Sequence, residues 1–397
     1  MNIITLSTYP IAMPQHGGQH RLFNIVEFYR SAGHNVQAIG VLGSSQYSEE
    51  PGFVNYPGEK PFLQFIENPF LMEDWAIGEL FYKNNKYFEE LASCISMDVD
   101  VIHVEQPWLF RFAQRYVSSV NKKIKIVYGS QNIEHQLKRK ILSNYLSREE
   151  VVNGENLVLN CELNAIKSAD GVYCVSQHDA DWVRENTSVT CLIVANGVQD
   201  RIGTIEGIKK ANNFSGNHKF GLYCASAHLP NVVGFVDMFS AGIGCLSPDE
   251  RILLAGGVGP SLQGYEKAKS IAGFNKFVVA SGMVDEECLQ GFIETAHAII
   301  LPITQGSGTN LKTAEALWSG KHIVATSTAM RGFENFSSSC GVHVTDNPSD
   351  FQHSIRRVMS EPPLILSKES RAEREVVLWE NTLLPLKKML FEVQGIL

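Results

Sequence analysis

Short apolar runs alternate, along nearly the whole chain, with stretches whose apolar residues recur at helical spacing. The first run, NIITLS at 2–7, leads into a loop rich in Gly, Pro and His and then into a helical pattern at 21–32. Further runs lie at 35–41, 100–104, 125–128, 171–175 and 192–194, with helical patterns at 137–145, 152–168 and 177–185. Strands that alternate with helices imply parallel β-α-β units. Several runs are apolar throughout, as strands covered on both faces are. Residues 201–216 are polar, with Gly, Asn and Lys, and read as a linker or rim loop. The series then restarts, with strands expected at 220–226, 251–255, 277–280, 298–301, 322–325 and 342–344. Helices are expected at 233–239, 286–296, 311–319 and 351–359.

The expectation is an α/β protein of two doubly wound domains, 1–200 and 201–375, facing each other across a cleft at the carboxyl edges of their sheets. The amphipathic tail from 376 is broken at Pro385 and belongs to a C-terminal helix, about 376–397, that packs back on the first domain or on the second. Residues 61–83 are aromatic-rich and interrupted by Pro. A helical hairpin covering the first domain is the preferred reading, ahead of a lid, a lipid groove or a membrane-facing surface.

Composition narrows the function classes. The chain has 397 residues, 44% hydrophobic and 19% charged, enough for two full cores and too apolar for general disorder. Thirty-four Lys and Arg against 42 Asp and Glu leave a net charge of −8, which disfavours nucleic acid as the main partner. The 8 cysteines form no Cys-x-x-Cys pair and read as reduced, mostly buried thiols of a cytoplasmic protein. No uncharged apolar stretch reaches the roughly 18 residues that span a bilayer, so membrane contact, if any, is expected to be peripheral, at the inner face.

The candidate chemistry lies at 298–320, AIILPITQGSGTNLKTAEALWSG. A buried strand ends at Pro302, a glycine-containing loop follows, and a helix starts near Asn310 with Lys312 and Glu315 in its first two turns. Glycines allow close backbone approach, and a helix start offers unpaired N–H donors at the positive end of its dipole. Lys312 adds a full charge, and Glu315 can accept two hydrogen bonds from adjacent hydroxyls. Phosphate donors beside a diol acceptor describe a nucleotide diphosphate with its ribose. A capped turn with a solvated Lys/Glu pair is the equal alternative on this segment alone.

Several stretches resemble GT-B fold glycosyltransferases, most closely the retaining enzymes of glycosyltransferase family 4. They are PQHGGQHRLFNIVEFYRSAGHNV, VANGV, AHLPNVVGF, RILLAGGVG, SGMVDEECLQGFIETAHAIILP and GSGTNLKTAEALWSGKHIVATS, in that order. The resemblance implies two Rossmann-like domains and a nucleotide diphosphate sugar as donor substrate, with no cofactor. It implies that Glu315 holds the donor ribose. Gly306, Ser307, Gly308, Thr309, Asn310, Leu311 and Lys312 would hold the diphosphate, with Ser226 in the first loop of the second domain. Gly282, Met283 and Val284 would lie along the base, and Gly17 and Gly18 would close on the sugar phosphate. His16 and Glu105 would join Lys312 as candidate catalytic groups.

This chain departs from the family pattern at four places. Ser307 stands where the family commonly has a sugar-contacting glutamate, Ser226 and Asn231 where it has Arg and Lys, and Glu105 where many members have a histidine of a His-x-His pair. Diphosphate neutralisation would then fall on Lys312, with Arg331 a weaker candidate. The pairs Asp98/Asp100 and Asp179/Asp181 match Asp-x-Asp. The first precedes its strand and the second lies inside a helix, so neither is expected to hold a metal.

The expected activity is retaining, metal-independent transfer of a sugar to a saccharide or lipid-linked acceptor, in bacterial surface polysaccharide or glycan synthesis. A GT-B sugar-nucleotide 2-epimerase and a catalytically silent GT-B partner subunit are the alternatives. The sugar, base, acceptor and oligomeric state are left open.

Overall fold

The apolar runs of each half become the strands of an all-parallel sheet. The computed structural model describes residues 1–120, 122–305, 309 and 311–395. It divides into two units, Met1–Ala195 with Leu383–Leu397, and Asn196–Thr382.

The first domain runs β1 (Asn2–Ser7), α1 (Gly17–Ser31), β2 (Asn35–Val41), β3 (Phe53–Val54), α2 (Glu73–Lys83), α3 (Asn85–Ser93), β4 (Val101–Glu105) and α4 (Phe110–Ser119). It continues with β5 (Lys125–Ser130), α5 (Glu134–Leu142), α6 (Arg148–Ser168), β6 (Gly171–Cys174), α7 (Gln177–Asn186) and β7 (Cys191–Ile193). Its strand order is β3-β2-β1-β4-β5-β6-β7. Ile3 stands opposite both Val36 and Val101, and Ile3, Ile4 and Leu6 are fully buried, as a central strand requires.

The second domain runs α8 (Ile205–Ser215), β8 (Lys219–Cys224), α9 (Leu229–Phe239), β9 (Glu250–Ala255), α10 (Val258–Gly264), α11 (Glu266–Lys269), α12 (Phe274–Phe277), β10 (Val278–Gly282) and α13 (Glu286–Thr295). Then come β11 (Ala298–Leu301), α14 (Leu311–Ser319), β12 (His322–Ala325), β13 (Val342–Val344), α15 (Pro348–Ser360), α16 (Lys368–Arg374) and α17 (Trp379–Thr382). Its order is β10-β9-β8-β11-β12-β13. The chain closes with α18 (Leu384–Gln394), which belongs with the first domain. Pro385 sits in the first turn of α18, where its missing N–H costs no helical bond. The helix lies against β6, so close that a Cβ on Gly171 would come within 3.0 Å of Val393.

The stretch 201–216 is not a linker. It holds α8, started by the Thr204 hydroxyl accepting from the Gly207 N–H and ended by Gly216 at φ 63°. Gly207, part of that linker-like composition, serves helix packing instead. A Cβ on Gly291 of α13 would meet the Gly207 carbonyl at 2.1 Å, so the two helices touch backbone to backbone.

The aromatic stretch 61–83 is not a helical hairpin. Pro61 and Pro69 each sit at the start of a short 3-10 turn, and α2 follows. Phe62, Met72, Trp75, Ile77, Leu80 and Phe81 are buried in the core. Among the described residues, no helix is long and apolar enough to cross a membrane.

Candidate functional site

In each sheet the chain leaves in opposite directions on the two sides of one pair of strands. Helices that follow such a pair start beside a crevice at the carboxyl edge. In the second domain the pair is β8 and β11, followed by α9 and α14. In the first it is β1 and β4, followed by α1 and α4.

Leu311, Lys312 and Glu315 lie in the first two turns of α14. Lys312 and Glu315 are half-buried over an apolar bed of Leu222, Ile299 and Leu301. Neither has a hydrogen bond or close ion pair among the described residues. Burial lowers the Lys312 pKa, against the raising effect of Cys224 and Glu315. Burial likewise raises the Glu315 pKa, opposed by the charges of Lys312 and Arg201. Polar groups this enclosed normally find partners in the protein. Lys312 and Glu315 do not, among the described residues, and their charges suit an anion and a diol respectively.

The loop before α14 lies mostly outside the described residues: Gly306, Ser307, Gly308 and Asn310 are not among them. Thr309 is, and Asn196 holds it, its amide donating to the Thr309 hydroxyl at 2.8 Å. Gly332, at φ 83°, approaches the same residue from the next loop, and a Cβ there would strike the Thr309 methyl. Its neighbour Arg331 has a partner of its own.

The strand ends facing this point are packed together. Asn231, at the start of α9, donates to the Ser226 carbonyl at 3.1 Å and hydroxyl at 3.3 Å. It therefore braces the loop in which the resemblance expects a cation. His228, on the same loop, has its pKa lowered by burial and by the charge of Lys312. A Cβ on Gly257 would come within 2.8 Å of the Ala227 nitrogen, which fixes the turn after β9 against that loop. Gly282 ends β10 at φ 68° with open space beside it. Met283 is 82% exposed, and Val284 packs on the core.

In the first domain, His16 precedes α1 and Gly17 and Gly18 open it. The Gln19 side chain accepts from the His16 N–H at 3.3 Å. The His16 ring meets the Tyr47 hydroxyl at 3.1 Å, and burial lowers its pKa, as does His20. Gly18 is next to Gln131: a Cβ would lie 3.0 Å from Gln131 Oε1.

Glu105 is the last residue of β4. Its side chain is fully buried. Gln131 Nε2 donates to Glu105 Oε2 at 2.6 Å, His103 Nε2 lies 3.1 Å from Oε1, and the Tyr173 hydroxyl donates to Oε1. Burial pushes its pKa up, but the His103 contact, the Arg21 charge and Tyr173 outweigh that and hold it below the usual range. A carboxylate enclosed by its own donors orients neighbours rather than touching substrate. Here it turns the Gln131 amide, whose Nε2 also donates to the Tyr9 hydroxyl at 2.6 Å.

Of the Asp-x-Asp carboxylates, Asp98, Asp100 and Asp181 are ion-paired locally, whereas Asp179 meets His178 through Oδ1 and leaves Oδ2 without a hydrogen-bond partner among the described residues. Lys122 bridges Asp98 and Asp100, and Arg184 holds Asp181.

Sequence reasoning missed Gln131, Arg201 and the pair Gln106 and Glu134. Gln106, Gln131 and Glu134 follow strand ends in the first sheet, and the rule that ligands meet the carboxyl edge could have found them. Arg201 was hidden in the supposed linker.

The sequence profile described as "Glycosyl transferases group 1" matches residues 224–361. No curated protein is significantly similar to the chain in sequence. Among solved structures, sucrose-phosphate synthase from Thermosynechococcus elongatus is similar at 15% identity and TM-score 0.70, covering 100% of both chains. Anabaena HepE, solved with UDP and glucose, has 13% identity and TM-score 0.58, covering 100% of this chain and 98% of its own. A UDP-forming α,α-trehalose-phosphate synthase from Burkholderia xenovorans, solved with glucose-6-phosphate, has 14% identity and TM-score 0.60, covering 99% of both. Likeness at these identities establishes the fold.

Proposed function

We propose that this chain, a glycosyltransferase of GT-B fold whose second domain matches the glycosyl transferases group 1, is a retaining, metal-independent enzyme using a nucleotide diphosphate sugar. The observation that carries the donor site is the half-buried pair Lys312 and Glu315 at the start of α14, without hydrogen bonds among the described residues. In this reading Glu315 accepts from the ribose hydroxyls, and Lys312 with the first amides of α14 neutralises the diphosphate. The base lies along Gly282, Met283 and Val284.

The reaction breaks the bond between the anomeric carbon and the diphosphate oxygen and forms one to an acceptor hydroxyl oxygen on the same face. The departing phosphate oxygen takes the hydroxyl proton. No protein nucleophile is needed, so charge stabilisation of the leaving group is the main task of the side chains. Lys312→Ala is expected to lower kcat more than it raises the donor KM. Glu105 serves as a positioning residue for Gln131, and His16 as a sugar or acceptor contact. The acceptor is a saccharide or lipid-linked saccharide, as in bacterial surface glycan synthesis.

The first test is a screen of UDP-, GDP- and dTDP-sugars for thermal stabilisation, because a ligand that binds only the native state raises the unfolding temperature. HepE was solved with UDP, which makes UDP-sugars the first to try. One of the series is expected to stabilise the protein, and its turnover to survive EDTA. Turnover abolished by EDTA and restored by Mn²⁺ would rule out the metal-free mechanism.

A further inference from the structure

At the carboxyl edge of β4 and β5, three carboxamides stand beside two acids, Glu105 and Glu134. Gln106 directly follows β4, and Gln131 and Asn132 follow β5. All three are partly exposed. In each, the amide nitrogen is turned toward a carboxyl group. Gln131 Nε2 donates to Glu105 at 2.6 Å, Asn132 Nδ2 to Glu134 Oε1 at 3.2 Å, and Gln106 Nε2 to the same oxygen at 3.4 Å. The three amide oxygens have no hydrogen-bond partner among the described residues, and neither does Glu134 Oε2. Glu134 is 4% exposed.

Gln106 holds φ 64°, a left-handed conformation that is strained for a residue with a side chain. The fold keeps it there: its N–H donates to the Gly129 carbonyl at 3.0 Å while Pro107 follows. The strain places its amide beside Glu134. Accessible, unpaired acceptors beside a buried acid, on strained backbone at a sheet's ligand edge, mark a binding site.

We propose that Gln106, Gln131, Asn132 and Glu134 form a site for the hydroxyl groups of an uncharged saccharide, which selects a neutral sugar acceptor over a sugar phosphate. The assignment of this sugar as the acceptor rests on the transferase reading above. Three amide oxygens without partners among the described residues accept hydrogen bonds and offer none, which suits O–H donors and repels phosphate oxygens. The surroundings reinforce this. Glu162 of α6, itself fully buried, accepts from the Glu134 and His135 N–H groups and from the His135 ring. Asp74 of α2 is paired with Lys138 of α5 at 2.8 Å, and the Tyr128 hydroxyl of β5 feels both Glu134 and Glu162. Burial, with Glu162 beside it, pushes the Glu134 pKa up to about 8, so at neutral pH its free oxygen can carry a proton to donate.

The test is a binding titration of the full chain with methyl β-glucoside, methyl β-galactoside and glucose 6-phosphate, followed by saturation-transfer NMR, with UDP binding measured in parallel. At least one methyl glycoside is expected to bind, and to bind better than glucose 6-phosphate. Gln131→Ala should weaken it about three- to tenfold, the loss of one neutral hydrogen bond, while leaving UDP affinity unchanged. Asn132→Ala gives the same readout if Gln131→Ala fails to fold. Equal glycoside binding in wild type and variants would overturn the proposal, as would tighter binding of glucose 6-phosphate or no glycoside binding at all. If glycosides bind as expected but no nucleotide does, the saccharide site stands and the transferase reading falls.

Discussion

A lysine and a glutamate three residues apart on a helix can pair across its surface. Lys312 and Glu315 do not pair within ion-pair distance, and the apolar bed beneath them shifts both away from their charged forms. That spacing was legible in the sequence; the missing pairing was not, because it depends on the side chains of β8 and β11 below. Glu105 shows the reverse. Its place where the resemblance expects a histidine suggested a reactive group, and only the structure shows three donors closing on it.

Glu134 carries a prediction at the same scale. Its folded pKa of about 8 lies above that of an ordinary glutamate, so in the window between the two values the native state binds a proton that the unfolded chain releases. Its contribution to stability is therefore full below the ordinary pKa and is lost as pH rises through about 8. Glu134→Gln should gain stability relative to wild type, on the order of a few kcal/mol, between about pH 5 and pH 9. Urea unfolding across that range measures it, and parallel curves for the two proteins would contradict it.

Among elements, the strands read well because both faces of an all-parallel sheet are covered, so apolar residues dominate most runs. Two kinds of element did not. β3 is only two residues long, and α8 hid in a polar, glycine-containing stretch. A glycine needed for close helix packing looks the same in sequence as one that loosens a loop. Gly291→Ala separates the two readings: its Cβ would meet the Gly207 carbonyl, so α8 must move away from α13. The expected cost is roughly 1–3 kcal/mol. It should appear as a lower unfolding midpoint, whereas a loop glycine would give almost no change.

At the scale of the molecule, the return of the chain end to the first domain follows from α18. Leu386, Met389 and Leu390 are buried, and the helix covers the edge of β6 at Gly171. Removing residues 383–397 should lower the melting temperature of the first domain and leave nucleotide binding by the second intact, as calorimetry with and without nucleotide can show. Equal loss in both domains would contradict that division. The donor site is tested by titrating the best-stabilising nucleotide sugar into wild type and Glu315→Ala, followed by isothermal calorimetry. Loss of a charged hydrogen-bond acceptor to the ribose should weaken binding about ten- to a hundredfold. Unchanged affinity in Glu315→Ala would place the nucleotide elsewhere and contradict the account.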